Sequence, residues 1–204
     1  MKALLINGSP RRNGNTARAL QEVAARLAEH GIKSDILWIG NKAMQGCIAC
    51  YYCAKEGRCV FHDEPYEAVR AKLAEADALI VGSPVYYGGP AGSLCALLDR
   101  VFLSCKPMYP GKVWASVIVC RRGGATAAFQ RLNMYAEMST MVQATSQYWN
   151  FAYGAQPGEV EQDLEGMQTM RTLADNVAWL LRCTAERRGE IPPREPWIKF
   201  NVVR

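Results

Sequence analysis

Short, largely apolar runs alternate along the chain with longer stretches in which apolar residues recur every three or four positions. The runs lie at residues 3–7, 34–39, 78–82 and 113–120. Continuously apolar runs of this length are typical of strands buried on both faces. A further strand is expected within residues 140–150, so the sequence predicts five strands.

The stretches between the strands have the spacing of amphipathic helices. In the first of them, Ala17, Leu20, Ala24 and Leu27 share one face, and charged residues lie between them. Helices are therefore predicted in four places: from Asn15 or Thr16 to Gly31, from Glu64 to Ala76 with Asp63 as the cap, from Pro90 to Leu103, and from Leu164 to Leu181.

Strands and helices that alternate in this way predict a parallel sheet covered by helices on both faces. We expect one α/β domain over residues 1–190, with a cysteine-rich insertion at about 44–62. Residues 191–204 are too rich in proline for a helix and predict an extended tail. Open parallel sheets bind ligands beyond the carboxyl ends of their strands. The loops after the first, third and fourth strands are therefore expected to form one site.

Composition narrows the class of ligand. The 204 residues are 50% hydrophobic and carry a net charge of +5, with Lys and Arg scattered among 19 acidic residues. A basic excess that is not gathered on one segment favours small anions, such as phosphorylated cofactors, over nucleic acid.

The chain gives no sign of membrane insertion or export. No run of about 18 apolar residues is present, so we predict no membrane span. The apolar stretch at the start is too short for a signal peptide, and we expect a cytoplasmic protein. The eight cysteines are then not expected to form structural disulfides.

The first loop, residues 8–16, reads Gly-Ser-Pro-Arg-Arg-Asn-Gly-Asn-Thr. It has neither the Walker A ending nor the G-x-G-x-x-G pattern of dinucleotide-binding loops. It is rich in hydrogen-bond donors and leads into a helix N-terminus, where free N–H groups and the helix dipole favour an anion. The alternative is a capped turn with solvated arginines. The candidate phosphate ligands are Ser9, Arg11, Asn15 and Thr16.

This loop resembles that of the NADPH-dependent FMN reductase group within the flavodoxin-like fold. The loop after the third strand, Ser83-Pro84-Val85-Tyr86-Tyr87-Gly88, is similar to the second flavin loop of that group. The resemblance covers residues 1–124 well and implies a three-layer flavodoxin-like fold with a five-stranded parallel sheet. It implies that the FMN phosphate binds at Ser9, Arg11, Asn15 and Thr16, and that the isoalloxazine ring is lined by Pro84, Val85, Tyr86 and Tyr87.

The residue chemistry of the loops agrees with a flavin. A flavin ring needs a flat wall and backbone donors at its polar edge. Tyr86 and Tyr87 offer the wall, and the amides around Gly88 offer the donors. The loop after the fourth strand offers positive charge and bare backbone to a reduced, anionic flavin; its residues are Cys120, Arg121, Arg122, Gly123 and Gly124.

Four cysteines crowd into one segment with the spacing C-x2-C-x2-C-x5-C: Cys47, Cys50, Cys53 and Cys59. A C-x2-C-x2-C run is a feature of bacterial iron–sulfur ligation. Structural zinc more often uses two C-x2-C pairs separated by a longer excursion. The residues alone leave three alternatives open: a cluster, another metal, or free thiols.

The placement of this segment, between the second strand and the next helix, resembles that of the archaeal-type iron–sulfur flavoproteins. The resemblance implies a [4Fe–4S] cluster beside FMN, ligated by Cys47, Cys50, Cys53 and Cys59. It also implies electron transfer from NAD(P)H, or from a reduced ferredoxin-like donor, through FMN to a small acceptor such as a quinone, a flavin or an oxygen species. No catalytic side chain is expected, because the flavin carries the chemistry.

Rival functions are a cluster-free reductase, a flavodoxin-like electron carrier, and a binding module without a cofactor. Large aromatic residues near the end of the chain indicate contact with a partner chain, as a homodimer or homotetramer, although they could instead fold back on their own subunit. These residues are Trp149, Phe151, Tyr153, Trp197 and Phe200.

Overall fold

The computed structural model describes residues 1–196 and is organised around one sheet. Its strands are β1 (Lys2–Asn7), β2 (Lys33–Trp38), β3 (Ala78–Tyr86), β4 (Gly89–Pro90), β5 (Val113–Cys120), β6 (Val142–Gln143) and β7 (Phe151–Tyr153). The main order is β2-β1-β3-β5-β6, with β7 also pairing with β5 and β4 pairing with the end of β3. All pairings are parallel except the β3–β4 hairpin. The predicted parallel sheet is confirmed.

Residues 1–196 form six α-helices, of which all but α2 cover the two faces of the sheet. They are α1 (Asn15–Glu29), α2 (Tyr52–Glu56), α3 (Glu64–Glu75), α4 (Gly92–Ser104), α5 (Ala125–Glu137) and α6 (Leu164–Thr184). Helices α1 and α6 bury Leu20, Val23, Leu173 and Val177 against one face. Helices α3, α4 and α5 bury Val69, Leu98, Leu132 and their neighbours against the other. The three-layer α/β fold is therefore confirmed.

The fifth position of the sheet differs from the prediction. A single strand within residues 140–150 was expected, but the position is shared by β6 and β7. Between them the chain leaves the sheet, and the Asn150 side chain donates to the Ser116 carbonyl at 3.0 Å while the Asn150 carbonyl accepts from Ile118. Asn150 thus satisfies part of the β5 edge in place of a continuous strand.

Two helix predictions also need correction. Helix α5 was not predicted, because its buried face is made mainly of alanines and Asn133 and gives a weak apolar signal. Helix α1 starts at Asn15, but its cap is Gly14, and neither Asn15 nor Thr16 caps it. By contrast, Asp63 caps α3 as predicted and accepts from the Tyr66 N–H.

The aromatic residues near the chain end have different environments. Phe151 is buried in its own subunit, whereas Trp149 and Tyr153 are 49% and 43% exposed. Residues 191–196 have neither helix nor strand, as expected for a tail. Trp197 and Phe200 lie outside the described residues. Within residues 1–196, the helices are too short or too polar to cross a bilayer.

Candidate functional site

Three loops meet at the carboxyl edge of the sheet. The Gly8 N–H donates to the Gly82 carbonyl at 2.9 Å, which joins the end of β1 to the end of β3. A Cβ on Gly124 would lie 2.9 Å from the Cα of Gly88, so the loop after β5 passes the loop after β3 in backbone contact. The convergence predicted for these three loops is confirmed.

The predicted phosphate loop, residues 8–16, is held in shape by Asn7, the last residue of β1. The Asn7 carboxamide oxygen accepts from the Ser9 N–H at 3.0 Å, and its nitrogen donates to the Arg12 carbonyl at 3.1 Å. The Ser9 hydroxyl in turn accepts from the Arg11 N–H at 3.1 Å. Asn7 was not among the predicted site residues, because its side chain reads simply as the polar end of a strand.

Helices that start at this edge have free first-turn N–H groups. Among residues 1–196, no side chain caps α1, α4 or α5, and the first turn of α1 has no acidic residue. Helices α3 and α6, by contrast, are capped by Asp63 and Asp163. The edge therefore offers unpaired backbone donors where an anion would bind.

The four predicted phosphate ligands fall into different positions. Ser9 and Thr16 are buried at the mouth of α1, and Arg11 is exposed beside them. The Asn15 side chain points elsewhere: its nitrogen donates to the Gln156 carbonyl at 2.8 Å and its oxygen accepts from the Gly158 N–H at 2.9 Å. Asn15 therefore ties the loop after β7 to α1, and its backbone N–H remains as a donor for phosphate.

Trp38, at the end of β2, is a site neighbour that the sequence did not reveal. Its indole N–H donates to the Ser9 carbonyl at 2.8 Å. The Arg12 guanidinium lies over the Trp38 ring at 5.6 Å from its centroid. Trp38 thereby supports the phosphate loop from the side of the cysteine insertion.

The loop after β3 presents its two tyrosines to solvent. Tyr86 is 50% exposed and Tyr87 is fully exposed, while Pro84 and Val85 are partly buried. Tyr87 has a φ of 50°, a left-handed conformation that costs about 1–2 kcal/mol for a residue with a Cβ. Such strain is typical of ligand-binding loops.

The loop after β5 has one buried residue and four exposed ones. Cys120 is buried, burial raises the pKa of its thiol, and its carbonyl accepts from the Gly154 N–H at 3.0 Å. The exposed residues are Arg121, Arg122, Gly123 and Gly124. Cys120 is therefore packed into the core, and its carbonyl is held by the backbone that follows β7.

The four clustered cysteines line one cavity, together with Phe61, Arg100 and Ser104. All eight cysteines of the chain are free thiols. Ala49 and Tyr51, on either side of Cys50, have φ values of 53° and 56°. Left-handed conformations of residues with a Cβ are strained, and such strain is typical of ligand-binding segments.

The cysteines do not converge on a single point. Within the described part of the chain, no three Cys, His, Asp or Glu side chains are grouped to hold one metal ion. A cluster makes a different demand, because each of its iron atoms takes its own thiolate, and the four sulfurs surround a volume. The shared cavity and the strained backbone fit that demand, so cluster ligation by Cys47, Cys50, Cys53 and Cys59 remains a prediction.

Cys59 and Arg100 anchor the cavity to the core. The Cys59 N–H donates to the Tyr66 hydroxyl at 2.8 Å, and that hydroxyl is hydrogen-bonded to Ser104 at 2.8 Å. The Arg100 side chain is fully buried and forms an ion pair with Asp63 at 2.5 Å. Burial alone would lower the pKa of Arg100, but the ion pair with Asp63 and the nearby Cys59 side chain outweigh it and raise the pKa.

Comparison with known protein families identifies related chains. The family model for NADPH-dependent FMN reductase matches residues 1–156. An iron–sulfur flavoprotein of Methanocaldococcus jannaschii is 33% identical over 194 residues, which cover 89% of this chain and 98% of that protein. An iron–sulfur flavoprotein of Methanosarcina thermophila is 29% identical over 93% of this chain and its own full length.

Solved structures show the same fold. RosB, with a bound 8-demethyl-8-formylriboflavin-5'-phosphate intermediate, superposes with a TM-score of 0.74 at 17% identity, covering 99% of this chain and 92% of that one. A flavodoxin from the domain Archaea superposes with a TM-score of 0.61 at 14% identity, covering 89% of this chain and 99% of that one. Likeness at such low identity establishes the flavodoxin-like fold alone.

Proposed function

This chain belongs to the NADPH-dependent FMN reductase family, in its iron–sulfur flavoprotein group, and we propose that it oxidises NAD(P)H and reduces a small acceptor. Family membership makes it an FMN-dependent oxidoreductase. We further propose a [4Fe–4S] cluster on Cys47, Cys50, Cys53 and Cys59, and a quinone, a free flavin or an oxygen species as acceptor.

The observation that carries the flavin site is the meeting of three uncapped helix starts at one sheet edge. Unpaired N–H groups of α1, the Ser9 and Thr16 hydroxyls and the Arg11 guanidinium form a donor set suited to a phosphate. This set fits the phosphate end of FMN. The Asn15 side chain is engaged with Gln156, so we assign it a supporting role.

The other two loops fit the ring end of FMN. Tyr86 and Tyr87 offer an exposed flat wall, and Gly88, Gly123 and Gly124 offer backbone that a planar group can approach closely. We propose that Arg121, an exposed residue of the loop after β5, balances negative charge on a reduced ring. Bound FMN would supply hydride and one-electron chemistry.

The electron path is proposed from the positions of the two sites. The cysteine cavity is lined by Arg100, Leu103 and Ser104 of α4, the helix that follows the loop after β3. A cluster there would exchange single electrons, which suits a ferredoxin-like donor as an alternative to NAD(P)H. We also propose a cytoplasmic homodimer or homotetramer that binds neither nucleic acid nor membrane.

The test is anaerobic purification followed by an absorption spectrum and assays of FMN, iron and acid-labile sulfide. We expect flavin bands, about four iron and four sulfide per chain, and oxidation of NADPH or NADH when a quinone is added. Cys53→Ser should lose iron and keep FMN, and Cys183→Ser, an exposed thiol on α6, should keep both. Full FMN without iron in the wild type would leave a cluster-free reductase, and a protein that cannot take up FMN would refute the function.

A further inference from the structure

Arg100 is the one charged side chain that lines the cysteine cavity among residues 1–196. It projects from α4, and its side chain has no exposed surface. A buried guanidinium is costly unless nearby groups compensate its charge. Packing alone therefore does not explain why an arginine occupies position 100.

Arg100 fastens both flanks of the cysteine segment to α4. One terminal nitrogen donates to the Gln45 carbonyl at 3.2 Å, before the first cysteine, and the other donates to the Phe61 carbonyl at 2.9 Å, after the last. The guanidinium also lies over the Phe61 and Tyr66 rings, 5.6 and 5.0 Å from their centroids. One side chain thus holds the two ends of the cysteine segment together. We call its two hydrogen bonds to Gln45 and Phe61 the clasp.

The charge of Arg100 is only partly compensated on the side of the cysteines. Asp63 pairs with a terminal nitrogen, but Asp63 does not belong to the cavity lining, within the described residues. The Arg100 Nε is buried and finds no acceptor in residues 1–196. The cavity wall therefore presents a positive charge and a spare donor close to Cys59.

We propose that Arg100 is the positioning residue of the cysteine segment and raises the reduction potential of the cluster it holds. This inference rests on the cluster in the proposed function. A cluster with four thiolates is anionic, and the electron it gains on reduction adds one more negative charge. A buried cation in a low-dielectric wall stabilises the reduced form more than the oxidised form.

Four variants separate the electrostatic role from the structural one. Arg100→Met removes the charge and the clasp, and Arg100→Lys keeps the charge without the forked contacts. Asp63→Asn removes the counter-charge and retains a capping side chain for α3. The double variant Arg100→Met with Asp63→Asn avoids leaving the half-buried Asp63 carboxylate unpaired and guards against misfolding of the single variant.

The measurement is the midpoint potential of the cluster in the holoprotein, from a redox titration followed by electron paramagnetic resonance. We expect Arg100→Met to shift the reduction equilibrium about tenfold toward the oxidised form, about 59 mV for one electron. The double variant should shift it in the same direction by less, because Arg100 lines the cavity and Asp63 does not. Asp63→Asn should shift it in the opposite direction, and Arg100→Lys should stay near the wild type. Unchanged potentials in variants with full iron, or the same direction for Asp63→Asn and Arg100→Met, would overturn the proposal.

Hydrogen exchange of residues 45–61 in the metal-free protein tests the clasp separately. Arg100→Met should exchange these amides at least tenfold faster than the wild type. Arg131→Met is the matched control, because Arg131 also lies over a tyrosine ring but contacts Asp99 and Tyr135. Equal exchange in Arg100→Met and the wild type would refute the clasp. If the wild-type protein contained no iron or sulfide, the cluster and the effect of Arg100 on its potential would both be refuted. Hydrogen exchange in the metal-free protein would still test the clasp.

Discussion

Gly124 and Gly88 are in backbone contact: a Cβ on Gly124 would lie 2.9 Å from the Gly88 Cα and 3.3 Å from its nitrogen. Gly124 also has a φ of 85°, which favours glycine. The contact sets how closely the loop after β5 approaches the loop after β3, between which the flavin ring is proposed to lie.

Replacing this glycine should therefore weaken flavin binding. We expect Gly124→Ala to lower FMN affinity about tenfold, because left-handed strain of about 1–2 kcal/mol and the clash displace both loops. Fluorescence titration of the apoprotein with FMN measures the effect. Gly189→Ala is the control, since Gly189 lies outside the three loops and an added Cβ there meets no atom of residues 1–196 within 4 Å. Equal losses in both variants would contradict the assignment.

Arg11 should recognise the phosphate and not the ring. We expect Arg11→Gln to weaken FMN binding about tenfold, since a hydrogen bond to a charged group contributes about 1.5–3 kcal/mol, and to leave riboflavin binding unchanged. Calorimetric titration with each ligand separates the two effects. Arg187→Gln, at an exposed arginine after α6, should alter neither. A parallel loss for riboflavin would show that Arg11 acts through the fold.

Asp163 should stabilise the connection between β7 and α6. Its carboxylate accepts from the Gly166 N–H at 2.9 Å and from the Tyr153 N–H at 2.7 Å. We expect Asp163→Ala to lower the free energy of unfolding by about 1–2 kcal/mol, the usual cost of a lost cap. Asp163→Asn retains an acceptor and should lose less. Urea unfolding of both variants tests this order, which an equal loss would contradict.

Glu22 should make stability depend on pH. Burial alone would raise the pKa of Glu22, but hydrogen bonds from Arg171 and Arg18 outweigh it and lower the pKa below its ordinary 4.5. The folded state thus favours the carboxylate, so its contribution is present above about pH 4.5 and lost as the pH falls through the lowered value.

The corresponding measurement is urea unfolding at neutral and acidic pH. We expect Glu22→Gln to be less stable than the wild type at pH 7, with the difference shrinking below pH 4.5. Glu29→Gln, at an ion pair with Arg26 on the exposed surface, should change little. A difference that is constant with pH would contradict the assignment.

The sequence predicted the parts of the fold that depend on local pattern. Strand β5 occupies the predicted residues 113–120, and the Asp63 cap of α3 is observed. Helix α5 was not predicted because alanines supply half of its buried face and give a weak apolar signal. The break between β6 and β7 could not be predicted from local pattern, because it depends on a hydrogen bond from Asn150 to Ser116, two distant positions.

The same limit applies to the site: local sequence reveals its loops, but not its contacts between distant positions. The loops and the cysteine segment are contiguous in sequence, so their residue types revealed them. Asn15 instead binds the loop around Gln156, and Arg100 binds Gln45 and Phe61 across more than thirty-five positions. Such roles arise only when folding brings distant backbone groups together.

The central claim is that FMN binds with its phosphate at the mouth of α1, and a crystal structure of the protein with FMN tests it most directly. We predict phosphate density within hydrogen-bond distance of Ser9, Arg11 and Thr16, and the ring between residues 84–88 and 121–124. Phosphate density at any other position, or these loops closed against the ring by their own side chains, would contradict it.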